Sequence, residues 1–439
     1  MQREQRIEKL AKIKAQKKPI GTKKIHTSNG MEKFDVWKIP LDYLILNKEN
    51  GRINSRVKSW EAISGETLNA EIKEHENMLI SWIKEAHKSE NAKTTESLKR
   101  GQLIAGEVTA DGVIVGGNRR ASLLRSIEHN FLEAVILDEK VGDDHIGLLR
   151  LEKSLQHGVD AQVDYNPIEK YLEITTVVDE FGGLERLDER DIMDQIKTMM
   201  PRYKSKADIE KDLNIKKQMD IYLEQIGAQG NYEALDEKEG FFVDFVPALD
   251  SYEPNTDKWA SWQYKKKDLA TLTQRIHTVT RSQYQGGDDE SKAYRALFKR
   301  RQKGVNNIFG TRRAWDAFNT YWGETIAPIE AKMKTLDQVK MENPDNPLEA
   351  FKNHERDIRK ELKGPMEGVF KRSKEVLIRI EKETEPEKLL NSALETLKDL
   401  HQLVVDGVFP PQEFDETLYT NADDCRKMSE QIKNAFPSR

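Results

Sequence analysis

The sequence predicts an α+β amino-terminal domain followed by mostly α-helical domains. Between Phe34 and Leu137, short apolar runs of strand type alternate with helical spacings, whereas beyond Gly147 helical spacing continues almost to the end. A chain of 439 residues also exceeds what one hydrophobic core supports, which implies two or three domains.

The first 30 residues carry Arg3, Arg6 and seven lysines against Glu4 and Glu8, with few large apolar side chains. Residues 1–30 therefore read as a basic flexible arm, either a phosphate-neutralising segment or a solubilising tail. Residues 31–150 follow as the α+β domain. Its opening DVWKIPLDYLIL is strand-like and runs into the turn-rich KENGRINSR. From Asn69 to His87, Ile72, Leu79, Ile80 and Ile83 recur at three- and four-residue spacings, which predicts an amphipathic helix. IAGEVTA and GVIVG flank Asp111-Gly112, a hairpin signal, and FLEAVILD reads as one more strand.

Residues 151–285 and 286–439 read as two helical regions, with breaks expected at Gly286–Ser291 and Glu342–Pro347. Near the end, Leu389, Leu390, Ala393, Leu394, Leu397, Leu400 and Leu403 form a leucine-rich face. Such a face suits internal packing, the simpler expectation, or else dimerisation or a protein partner.

Composition excludes several classes. Hydrophobic residues make up 37% and charged residues 33%, with mean hydropathy −0.75. No apolar run approaches the roughly 20 residues that span a bilayer, so no membrane partner is expected and a cytoplasmic location is. The single Cys425 rules out an intrachain disulfide and a cysteine zinc cluster. The net charge of −5 argues against wholesale attraction to nucleic acid, so any DNA contact falls to local basic patches. No Ser/His/Asp order or His/Glu zinc pattern stands out, and His26, His75, His87 and His145 read as surface or core residues.

The segment richest in chemistry is Asp111 to Ser126, where a strand runs into Gly116-Gly117 and a helix opens with Asn118, Arg119 and Arg120. Glycines permit close backbone approach, helix-start amides favour an anion, and arginines add charge-assisted bonds. The layout is that of a phosphate cradle or of a plain structural turn. It is not a Walker loop, since no Gly-Lys-Ser/Thr follows.

This segment resembles the Gly-Glu-Arg-Arg box of the ParB/sulfiredoxin-like family. Ile39 to Ile53, with Asn50-Gly51-Arg52, resembles that family's opening box. Glu152 to Tyr171, with Asn166-Pro167-Ile168-Glu169, resembles its third, and Gly101-Gln102 and Val108 fall between. The resemblance covers roughly Val36 to Gly227. It implies a ParB-like nucleotide-binding fold for residues 31–150 that holds CTP or ATP and switches DNA engagement, as a homodimer in a prokaryotic cytosol or nucleoid or encoded by a phage. Gly116, Gly117, Asn118, Arg119 and Arg120 would hold and orient phosphates, with Arg52 near them, Glu152 placed for Mg2+ and Lys153 as a point charge. Asn118 stands where the family has Glu, and Lys153 where it has Asn. A sulfiredoxin activity needs a cysteine at the turn, and there is none. Any NTP hydrolysis would be slow, with no dedicated base in view.

For DNA, Ser205 to Gly227 is spaced like a helix-turn-helix, with Ser205 as cap, Asn214 at the turn and Lys216, Lys217 and Gln218 on the reading helix; an ordinary helical hairpin is the alternative. Trp259 to Lys267 and Tyr294 to Trp315 interleave rings with cations, among them Lys299, Arg300, Arg301, Arg312 and Arg313. These suit a nucleic-acid backbone and stacked bases, or else the rings are core and the charges a solvated face. Two other readings stay open at this level: a ParB-like nuclease or component of a mobile-element or phage-defence system, and a protein-interaction adaptor with a degenerate ParB-like fold.

Overall fold

The computed structural model describes residues 1–27, 30–51, 53–86, 88–138, 151–152, 166–253, 260–284, 293–298, 307–406 and 416–435. Six strands form one mixed sheet: β1 (Gly21–Thr27), β2 (Gly30–Pro40), β3 (Ile45–Leu46), β4 (Gly106–Val108), β5 (Val113–Gly116) and β6 (Phe131–Ile136), in the spatial order β1-β2-β6-β4-β5-β3. Pairs β1/β2, β2/β6 and β4/β5 are antiparallel, and β4/β6 and β3/β5 are parallel. The two-residue period of β2 separates its faces: Trp37 and Ile39 enter the main core of this domain, and Val36 packs with Ile25, Val135 and Leu137 on the other side.

The Asp111-Gly112 signal is realised as a turn closed by Gly112 N–H donating to Thr109 O at 3.0 Å. Gly112 has φ +86°, and a Cβ there would lie 2.6 Å from Tyr43 O, so glycine is required twice over. Helices α1 (Arg3–Gln16), α2 (Asn54–Ser64), α3 (Lys73–Glu85), α4 (Lys88–Arg100) and α5 (Asn118–Ser126) complete the domain. In α3, Leu79 and Ile83 are buried as the spacing predicts, but Ile72 is an exposed cap residue.

The basic amino terminus differs from the flexible arm expected of it. Leu10 and Ile13 of α1 enter the main core, and Arg6 is only 2% exposed. The Arg6 guanidinium donates to Asp111 O at 2.9 Å and to Glu71 Oε1 at 2.8 Å, so this cation serves the fold.

The remainder is mostly helical: α6 (Glu169–Glu180), α7 (Arg190–Met199), α8 (Lys206–Gln225), α9 (Glu239–Tyr252), α10 (Lys266–Ser282), α11 (Arg295–Phe298), α12 (Arg312–Thr325), α13 (Ala327–Glu330), α14 (Leu336–Glu342), α15 (Pro347–Val405) and α16 (Glu416–Ala435). The break expected at Glu342–Pro347 separates α14 from α15, while Gly286–Ser291 lies outside the described residues. A large aromatic core joins α8, α9, α10, α12 and the first half of α15. Trp315, Phe318 and Trp322 share one face of α12 and are buried; Phe318 meets Phe370 of α15 at 5.7 Å between ring centroids. The buried Trp322 indole donates to Glu330 Oε2 at 3.0 Å, which satisfies its polar edge.

Helix α15 has 59 residues, about 90 Å of helix. Its first half packs through Phe351, Ile358, Leu362 and Phe370, but the leucine-rich face of its second half is exposed, with Leu389 65% and Leu394 49% accessible. Internal packing of that face, the simpler expectation, is not what the described residues show. Among them, no helix is long and apolar enough to cross a membrane.

Candidate functional site

Strands β3 and β5 run parallel, so their carboxyl ends open on the same edge of the sheet and their following loops meet. After β5, Gly117 adopts φ +111° and caps α5 with its carbonyl, to which Ala121 N–H donates at 2.9 Å. The first amides of such a helix have no carbonyl one turn back, which favours a negative group in front of them. After β3, the chain turns at Asn47 and Asn50: Asn50 O accepts from Ile53 N–H at 2.9 Å and Asn54 N–H at 3.0 Å, which leads into α2.

Asn118 ties the two loops together. Its Oδ1 accepts from Asn47 N–H at 2.9 Å and its Nδ2 donates to Ile114 O at 2.8 Å, with the residue 2% exposed. Both ends of the carboxamide are thereby used, so Asn118 shapes the site and does not offer itself to phosphates. Glu152, helical and 4% exposed, closes the cluster: Asn50 Nδ2 donates to its Oε1 at 3.3 Å and Asn47 Nδ2 to its Oε2 at 3.4 Å. Three segments separated by up to 105 positions thus converge, and all three are those on which the family resemblance rests.

The two arginines diverge. Arg119 points to α4, where its Nε donates to Asn91 Oδ1 at 2.6 Å and its Nη1 lies 3.9 Å from Glu90 Oε2. Arg120 lies over the glycine turn, with Nη2 3.4 Å from the position of a Gly117 Cβ. Arg52 and Lys153 lie outside the described residues.

Sequence reasoning missed Glu107 of β4, whose carboxylate covers Gly116. A Cβ on Gly116 would stand 1.9 Å from Glu107 Oε2, so one task of this glycine is to admit that carboxylate. Lys23 of β1 neutralises it in an ion pair and donates to Ala105 O at 2.7 Å. The only signal was an acidic residue within an apolar strand, which burial makes costly unless it is paired. Of the residues tied together here, Glu152 is the one carboxylate that could face a magnesium ion, and an ion held by one carboxylate would complete its shell with phosphate and water. Among the described residues, no cluster of three acidic, histidine or cysteine side chains can hold a metal by itself.

Glu169 anchors the site to the helical remainder. Its Oε1 accepts from Ser55 N–H in the first turn of α2 at 2.7 Å, it is 1% exposed, and burial pushes its carboxyl up to about 8. Farther along α2, Ser59 Oγ accepts from Glu233 N–H at 3.0 Å, and Ile63 joins the aromatic core.

No protein-family model, curated protein or solved structure matches this chain. The resemblance to ParB-like proteins therefore stands on the residues alone.

The expected helix-turn-helix is corrected by α8. Ser205 does cap it, accepting from Asp208 N–H at 3.3 Å, but the helix then continues through Asn214 without a turn. No breaker interrupts the stretch, and Ile215, Met219, Tyr222 and Leu223 carry its apolar stripe into the aromatic core. Lys216 is 8% exposed, paired with Asp220 at 2.7 Å and placed 4.9 Å over the Tyr232 ring, whereas Lys217 is exposed and Gln218 half-buried. The rings Phe298, Phe309, Trp315 and Phe318 are core, which removes them as stacking platforms. Arg312 pairs with Asp316 at 2.8 Å and sits 4.7 Å over the Trp262 ring; Arg313 pairs with Glu383 of α15 at 2.6 Å. Lys299, Arg300 and Arg301 lie outside the described residues.

Proposed function

We propose that the chain is a ParB-like DNA-binding protein whose DNA engagement is switched by CTP or ATP held at the Gly116–Arg120 turn. The observation that carries the reading is the convergence of Asn47, Asn50, Asn118 and Glu152 around that turn, with Arg120 over it. In this reading the helix start and Arg120 hold the phosphates, and Glu152 faces the accompanying magnesium. The connection through α2 supports switching, because a ligand that moved the Asn50 loop would move the Ser55–Glu169 and Ser59–Glu233 contacts with it. Exposed Lys17, Lys18 and Lys217 supply cations for DNA. The exposed leucines of α15 favour self-association as the accompanying assembly.

The test is fluorescence anisotropy on a labelled duplex, with and without CTP or ATP plus magnesium. A nucleotide-dependent change in DNA affinity that disappears in Arg120→Ala supports the switch. DNA affinity indifferent to both nucleotides removes it and leaves the adaptor reading, to which the leucine face of α15 also lends itself.

A further inference from the structure

Strands β1 and β2 form a ribbon that reaches past the rest of the sheet. β1 pairs with β2 from Gly21↔Val36 to Thr27↔Gly30, whereas β6 pairs with β2 only between Val36 and Pro40. Residues 22–27 and 30–35 are therefore a two-stranded segment about 20 Å long. One of its faces rests on the domain: Ile25 is 5% exposed and packs with Val36, Val135 and Leu137, and Phe34 lies against them. The alternation of the strands puts Thr22, Lys24, Met31, Lys33 and Asp35 on the other face, and all five are exposed.

The register sets Lys24 directly opposite Lys33. Side chains so placed have Cβ atoms roughly 5 Å apart, and like charges there repel. Lys17 and Lys18, exposed between α1 and β1, add two cations at the base of the ribbon. The carboxylates nearby do not offset these four. Asp35 is the one acidic residue among those five. Glu32 falls on the packed face, Asp138 is taken by Lys14 at 2.6 Å, and Glu107 is taken by Lys23, which also falls on the packed face. Glu4 and Glu8 belong to the first two turns of α1, the end that Arg3 fixes to Asp111 at 2.9 Å. Two lysines held face to face by the strand register, with two more beside them, cost stability unless an anion lies over them.

We infer that the outward face of this ribbon docks on the sugar-phosphate backbone of duplex DNA, with Lys24 and Lys33 astride it and Lys17 and Lys18 on phosphates farther along. A two-stranded ribbon is of a width that the major groove accepts. A bilayer surface, the other extended anion, takes up several apolar or aromatic side chains besides the cations, and among those five residues Met31 alone is of that kind. None of the five is an arginine, asparagine or glutamine suited to a bidentate contact with a base, so the contact positions the protein on DNA and does not select a sequence. This docking rests on the DNA-binding part of the proposed function and is independent of nucleotide at the glycine turn.

The test is fluorescence anisotropy of a labelled duplex of arbitrary sequence with the full chain, repeated over a series of salt concentrations. Lys24→Gln with Lys33→Gln should weaken binding roughly tenfold or more and lower the salt slope by about two, one for each lost phosphate contact. The same variant should melt no lower than the wild type, because a repulsion across the strands has been removed, so its loss of affinity cannot come from unfolding. Lys363→Gln with Lys371→Gln, an equal loss of charge from exposed lysines of α15, should leave the slope unchanged. Wild-type DNA binding with equal slopes in the two double variants would overturn the ribbon's role and leave the DNA-binding reading standing, whereas no binding by the wild type would overturn both. Preference for phosphatidylserine vesicles over the duplex, lost in Lys24→Gln with Lys33→Gln, would assign the ribbon to a membrane surface and likewise overturn its docking on DNA.

Discussion

Glu169→Gln tests the buried carboxyl that joins the candidate site to the helical region. At 1% exposure the protonated form is favoured, and the Glu173 charge adds to that preference. The Ser55 N–H contact opposes it but does not win. The Asn54 side chain, which donates to the carboxylate, opposes it as well, and burial outweighs both. Because the folded value of about 8 lies above the ordinary 4.5, the folded state holds its proton more tightly than the unfolded chain. The stabilisation is complete below about pH 4.5 and is lost as pH rises to about 8, on the order of 5 kcal/mol across that interval. Glutamine keeps an oxygen for the Ser55 contact and does not titrate. Urea unfolding of both proteins at about pH 5 and about pH 7 should therefore show the variant gaining on the wild type by on the order of 2 kcal/mol. Parallel pH profiles would refute the protonated, buried carboxyl.

Gly116→Ala should destabilise the protein by roughly 1–3 kcal/mol, since its Cβ meets Glu107 Oε2, and Glu107→Ala in the same chain should recover part of that loss in thermal unfolding. Lys216→Ala should lower the melting temperature and leave DNA affinity unchanged, because its ammonium is held by Asp220. Lys217→Ala should do the reverse and reduce the salt slope of DNA binding by about one. Leu394→Glu with Leu397→Glu should dissociate any assembly in light scattering while the circular dichroism of the fold is retained, and an unchanged mass of an assembled wild type would contradict a role for that face.

Much of the architecture was legible because local chemistry and tertiary packing agreed. Asp111-Gly112 specified its turn, Leu79 and Ile83 their helix face, and Ser205 its cap. The failures share a cause: charge and pattern do not reveal which partner a residue meets. Arg6 looks like one more arm cation until Asp111 and Glu71 surround it. Asn214 looks like a turn residue, but the core that receives Met219 and Tyr222 carries the helix through it. The leucines of α15 have the spacing of a packed face, yet Pro347 to Phe370 satisfies the aromatic core before they are reached. At the site, Gly116, Gly117, Arg120 and Glu152 were visible as types in order, whereas Lys23 and Glu107, brought in from β1 and β4, required the sheet.

The most direct measurement is calorimetric titration of CTP and of ATP with magnesium into the wild type and into Arg120→Ala. One nucleotide should bind the wild type and lose roughly tenfold or more in affinity in the variant, as expected for removal of a charge-assisted contact at the glycine turn. Equal affinity in both proteins, or no binding of either nucleotide at millimolar concentration, would contradict the nucleotide-binding reading of Gly116 to Arg120.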